Sequence, residues 1–279
     1  TRRSPRPWRR TPYAPTAMSD AAHNPRPRRL SGVTSPEPPA AEPAWEHDDA
    51  AWPSPRGAWF PRIWQVVLAV VLFVTLFLNV LWDGPLRTLD QRIADWVQAT
   101  GIRDTEPWGT IGFLLSQTGG RWTNLVWVLV LCVLAWRSDR TLVPLARIGV
   151  ATVIMWAAVY PFKDGMDRSF PTDENGDYFG AAGSLGGAFP SGHQTNAILL
   201  GCVGAWIAVD YIRQRWIRRV VCWYAVLAPI ISAVSVLFMN YHWLTDILGG
   251  AAMATVLLWA MRTVSRTRLG QRLEAKLTF

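Results

Sequence analysis

The sequence predicts an all-α fold: a six-helix transmembrane bundle with an outward-facing site and interfacial helices in its first outer loop. Two observations predict it. Beyond residue 62 the chain is a series of apolar runs, six of which are read as spans of ~30 Å of hydrocarbon, about 20 helical residues each. The Lys and Arg residues collect in alternate links between those runs, as the positive-inside rule requires. Half of the 279 residues are hydrophobic and 17% are charged, so the apolar share after residue 62 is higher still. This composition excludes an ordinary soluble enzyme, a collagen-like chain and a disulfide-framed secreted domain.

The elements follow in order. Residues 1–62 hold most of the 20 prolines and no long apolar run. They are expected as a disordered Pro/Arg-rich cytoplasmic tail that stays near anionic lipid. No short apolar core with a small-residue cleavage site precedes the first span, so a cleavable signal peptide is not expected. Span one is 63–82, free of charge throughout. Residues 86–99 are apolar at Leu86, Leu89, Ile93, Trp96 and Val97, a helical stripe. With the short apolar stretch 104–118 they are expected to lie along the interface. Spans two to five are 122–136, 142–162, 188–212 and 220–239. In the third, Arg147 is placed to snorkel to the basic end. Span six is 244–261, and residues 263–279 are a basic cytoplasmic tail. The six-span region is thus 63–262.

The charge count orients the bundle. Of 28 Lys and Arg residues, 21 fall in 1–62, 137–141, 213–219 and the segment from Arg262 onward. The loops 83–121, 163–189 and 240–243 are therefore expected outside, in an integral plasma-membrane protein with both termini cytoplasmic. The net charge of +8 belongs to basic cytoplasmic segments and not to nucleic-acid binding. Cys132, Cys202 and Cys222 all lie inside apolar runs without zinc or redox spacing, so neither a metal nor a disulfide is expected. The acidic stretch 173–177 lacks the Gly and closing Glu of a calcium loop and reads as solvated. The nearby glycines 183, 186 and 187 suggest a mobile approach to the site.

Three clusters of chemistry-bearing residues sit at outer span ends. His242 and Asp246 are four apart at a helix start and can share a face. A carboxylate on one imidazole nitrogen fixes the tautomer and makes the other a better nucleophile. Pro190, Ser191, Gly192 and His193 open the fourth span, where free backbone N–H groups bind anions such as phosphate. Lys163 and Arg168 close the third. Together they describe phosphoryl transfer through a phosphohistidine, with no metal and no cofactor. His242 is the nucleophile, Asp246 its orienting partner, and His193 the general acid and then base. Lys163, Ser191 and Gly192 hold the phosphate oxygens.

These residues resemble the integral-membrane type 2 phosphatidic acid phosphatases. The pattern of that family is K-x6-R-P, then P-S-G-H, then S-R-x5-H-x3-D. Lys163 and Pro171, then Pro190 to His193, then Ser235, His242 and Asp246 match it. The resemblance implies a six-helix membrane core and a lipid phosphate substrate, of phosphatidate or polyprenyl phosphate type. It implies membrane lipids as the surroundings. Two positions depart from the pattern: Phe170 and Val236 stand where the family has arginine. Each missing charge-assisted contact removes about 1.5–3 kcal/mol. Arg168, two residues before Phe170 and on the same side of an extended chain, is the expected replacement in the phosphate site. Arg121, entering the second span from the outer face, is a further candidate. A phosphodiester headgroup transferase on the same fold, needing fewer cations, and a non-catalytic family member are the alternatives.

Overall fold

The computed structural model describes residues 60–172 and 187–279. The Pro/Arg-rich segment up to residue 59, the acidic stretch 173–177 and glycines 183 and 186 lie outside the described residues. Among the described residues the protein is helical. The order is α1 (Ile63–Leu81), α2 (Leu86–Ala99), α3 (Trp108–Ser116), α4 (Arg121–Asp139), α5 (Val143–Met166), α6 (Gly192–Tyr211), α7 (Arg215–Phe238), α8 (Leu244–Arg266) and α9 (Arg268–Lys276).

Six long helices coincide with the six apolar runs. Four of them, α1, α5, α7 and α8, are long and apolar enough to cross a membrane, and α3 with α4 makes a fifth if that pair, bent by 53°, is one broken span. The chain is thus a multi-pass membrane protein. Alone, α4 is less apolar because it opens on Arg121 and Asn124 and closes on Arg137, Ser138 and Asp139. Helix α6 does not meet the same test, for a different reason. Its first turn, Gly192 to Asn196, is polar and serves the site, and Asp210 lies near its other end.

Helix α6 is the centre of the bundle. Leu199, Leu200, Val203 and Ile207 are buried against Val128 and Leu131 of α4, Ile148 and Met155 of α5, and Ala254 and Leu258 of α8. Small residues set the approach: Gly201 lies against Ala225 of α7, and a Cβ at Gly204 would run into the Trp127 indole. Without a hydrophobic drive between helices in lipid, such close packing is what holds them. Outward faces stay apolar: Trp64, Val67, Leu68 and Val71 of α1 are exposed. In water that would be a large apolar patch; in hydrocarbon it is the compatible surface.

In the 104–118 stretch α3 runs through a 3-10 turn (Gln117–Gly119) into α4, and Gly112 packs on Met239. The corner is locked by buried Asn124, which donates to the carbonyls of Thr118 (2.8 Å) and Gly120 (2.9 Å). The C-terminal segment forms α9 and packs near the start of α5. Helix α9 folds back so that Leu142 N–H bonds the Leu277 carbonyl at 2.8 Å. Arg147 does not snorkel but pairs with Asp210 (2.7 Å) and Glu274 (3.1 Å) over the Trp206 ring (3.8 Å). An ion pair satisfies a guanidinium that the neighbouring helices have closed off from water.

Candidate active site

One end of the bundle gathers the ends of α5 and α7 and the starts of α6 and α8. Helix α5 stops at Asp167, whose left-handed φ of 46° turns the chain back; Asp tolerates that conformation better than most residues. The returning strand is pinned by Gly187 N–H to the Lys163 carbonyl (3.1 Å) and Ala188 N–H to the Arg168 carbonyl (2.6 Å). Lys163 Nζ donates to the Gly187 carbonyl at 2.6 Å. Its stem passes beside Gly192, where a Cβ would sit 3.9 Å from Lys163 Cε.

Ser191 is the N-cap of α6: its Oγ accepts from Gln194 N–H at 3.3 Å. Its own N–H donates to the Asp246 carbonyl at 2.9 Å, fixing the α6 start on the first turn of α8. That approach requires Gly250, where a Cβ would meet the Ser191 carbonyl. The His193 and His242 rings therefore meet edge to face, with centroids 6.0 Å apart.

His242 is buried. Its Nδ1 lies 3.4 Å from Asp246 Oδ2, at the long end for such a bond. The same oxygen accepts from Trp243 N–H at 3.1 Å. Burial lowers the His242 pKa below the ordinary histidine value. Asp246 opposes that shift, and the charges of Lys163 and Arg168 add to it. A neutral imidazole hydrogen-bonded through Nδ1 leaves Nε2 with its lone pair, the state a nucleophile needs.

The structure corrects the role expected for Arg168. It is fully buried and forms ion pairs with Asp246 and with Asp90, the latter at 2.6 Å. Its NH1 also donates to Thr245 Oγ1 at 2.7 Å. Asp90 in turn accepts from Thr245 N–H (3.1 Å) and from the Thr245 hydroxyl (2.5 Å). Arg168 thus sits behind Asp246, with two carboxylates on it, and holds the orienting carboxylate in place. The reason lies in α2: Asp90 shares the buried face of Ala94 and Val97, so the helix packs a carboxylate where Arg168 ends. That stripe was the only local signal for Asp90, which sequence reasoning missed along with Thr245.

The two positions that depart from the family pattern are also resolved. Phe170 packs edge-on to His242 at 5.4 Å, with Lys163 Nζ 5.8 Å from its ring centre. Val236 is fully buried in α7. Lys163, Ser191, Gly192, His193, His242 and Asp246 are thus brought together, while Arg168 is adjacent but turned to the carboxylates.

Comparison with known proteins agrees with this architecture. Residues 146–269 match the family model described as the PAP2 superfamily. No curated protein matches the sequence. Among solved structures, the first transmembrane PAP2 type phosphatidylglycerolphosphate phosphatase from Bacillus subtilis superposes with a TM-score of 0.59 at 17% identity, over 74% of this chain and 98% of that one. At that identity the likeness is one of fold.

Proposed function

Because residues 146–269 match the family model of the PAP2 superfamily, we propose that this membrane protein is a lipid-phosphate phosphatase working through a phosphohistidine at the extracytoplasmic face of the plasma membrane. The observation that carries the reading is the edge-to-face His193–His242 pair, 6.0 Å between ring centres, with Asp246 at Nδ1 of His242 and Lys163 near the α6 start. The structural neighbour is a phosphatidylglycerolphosphate phosphatase, which supports a lipid phosphate as the substrate class here.

In the first step His242 Nε2 attacks phosphorus and forms the N–P bond while the P–O bond to the lipid breaks. His193 gives its proton to the leaving oxygen. The imidazolium that results on His242 is stabilised by Asp246, which the Arg168 ion pair holds in place. In the second step His193 takes a proton from water, water oxygen attacks phosphorus, and the N–P bond breaks to release inorganic phosphate. Lys163 and the N–H groups at the α6 start carry the developing charge on the phosphoryl oxygens. No metal enters these steps, so EDTA leaves turnover unchanged.

The test is product analysis with purified protein in nanodiscs. Wild type releases free phosphate from a lipid monoester, and His242→Ala releases none. Headgroup exchange from a diester lipid without phosphate release would replace the hydrolase reading with a transferase. Near-full monoester turnover by His242→Ala would remove the phosphohistidine.

A further inference from the structure

With Arg168 committed to Asp90 and Asp246, and with Phe170 and Val236 uncharged, Lys163 is left as the one motif cation beside the α6 start. A phosphate monoester brings nearly two negative charges. We propose that Arg121 is the second phosphate-binding cation of this site, which makes it a receptor for a phosphate monoester dianion; the inference rests on the reading of the site as a phosphoryl-transfer centre.

The placement comes from three contacts. Arg121 NH2 donates to the Tyr160 hydroxyl at 2.6 Å, with the guanidinium carbon 5.6 Å from the ring centre. Tyr160 and Lys163 are three apart on α5, so the two side chains are neighbours on that helix. Two residues before Arg121, Gly119 lies against the His193 carbonyl; a Cβ there would sit 2.7 Å from that oxygen. The Asn124-locked corner therefore delivers Arg121 to the side of the site where Lys163 and the α6 start already stand. Its charge acts on both Lys163 and His193.

The state of Arg121 points to an anion as its partner. Its Nε is buried without a hydrogen-bond partner. Among the described residues no carboxylate pairs with it, unlike Arg147, Arg168 and Arg213. A part-buried guanidinium whose charge acts on a second cation, with one donor unused, is unfavourable until a negative group arrives. A planar fork of donors fits the oxygens of phosphate. Arg121 lies outside the 146–269 segment that matches the family model, so the family's motifs would not reveal it.

The experiment measures inorganic phosphate binding by calorimetry at pH 8, using the full chain in zwitterionic nanodiscs with His242→Ala as the parent, so that binding is read without turnover. Arg121→Ala weakens phosphate binding about ten- to a hundredfold, the loss of one charge-assisted contact. Arg121→Lys recovers part of it, and Tyr160→Phe, which frees the guanidinium from its hydroxyl, weakens binding about threefold. A phosphate Kd within twofold of the parent in Arg121→Ala overturns the proposal. So does an unchanged Kd in Tyr160→Phe where Arg121→Ala does not fold, and so does a parent that binds no phosphate. Phosphatidylglycerol nanodiscs give the same phosphate Kd; displacement of phosphate by that lipid, abolished in Arg121→Ala, would assign the cation to a diester headgroup and overturn the monoester assignment. If the wild-type chain hydrolyses no monoester while Arg121 still governs phosphate binding, the reaction falls and this site stands. If wild type is active and Arg121→Ala binds phosphate normally, the reverse holds.

Discussion

Arg168→Met separates the two roles that the sequence and the structure assign to this residue. The side chain is fully buried between Asp90 and Asp246. Methionine fills comparable length but leaves the two carboxylates without the guanidinium that joins them. Removing one partner of a buried ion pair costs about 3–5 kcal/mol, because the remaining charge has no solvent to return to. For a domain of this size about 1 kcal/mol corresponds to roughly 2–4 °C in Tm, so a loss of about 6–20 °C is expected. Activity falls as well, through kcat, because Asp246 no longer holds a fixed position against His242. Asp90→Asn in the Arg168→Met background recovers part of the stability, since it removes one of the stranded charges; the two sites are in contact and their effects are not additive. Thermal unfolding in detergent, followed by tryptophan fluorescence, with kcat and KM on a soluble monoester, reads all three. An Arg168→Met protein that melts within 2 °C of wild type, keeps kcat and raises KM tenfold would refute the reasoning and return Arg168 to the phosphate site.

Asp246→Asn keeps the fold less well than a surface change would, because Arg168 loses a charged partner, and lowers kcat by at least tenfold through the tautomer of His242; an unchanged kcat would contradict the pairing at 3.4 Å. The His242 imidazole, its pKa lowered by burial, stays neutral as pH falls below the ordinary value of about 6.5 and protonates only further down. The unfolded chain takes up that proton first, so this group makes stability fall as pH drops below about 6.5 toward the folded pKa. Histidine NMR titration assigned with His242→Ala checks this, and a midpoint above 7 would contradict it. Cysteine at Thr172 reacts with an impermeant maleimide in intact cells and cysteine at Gln214 does not; the opposite pattern inverts the proposed orientation.

The helices and the local motifs could be read from the sequence because the forces behind them act over a few residues. A charge-free stretch such as 63–81 has one stable form in hydrocarbon, the helix that satisfies its own backbone. The spacing of His242 and Asp246, and the opening of α6 at Ser191, are set within one turn. Lys163 could be placed at a helix end by the same logic. Partners at a distance could not be read. Arg168 meets Asp90 and Asp246 across 78 residues in either direction, and Arg121 meets Tyr160 across 39. A single arginine in a loop looks the same in sequence whether it faces a phosphate or two carboxylates. Only the packing of α2 against α8 put Asp90 under Thr245, and only the packing of α4 beside α5 put Arg121 on Tyr160. In a low-dielectric interior, the charge that is nearest decides what a cation does, and nearness is set by the tertiary fold.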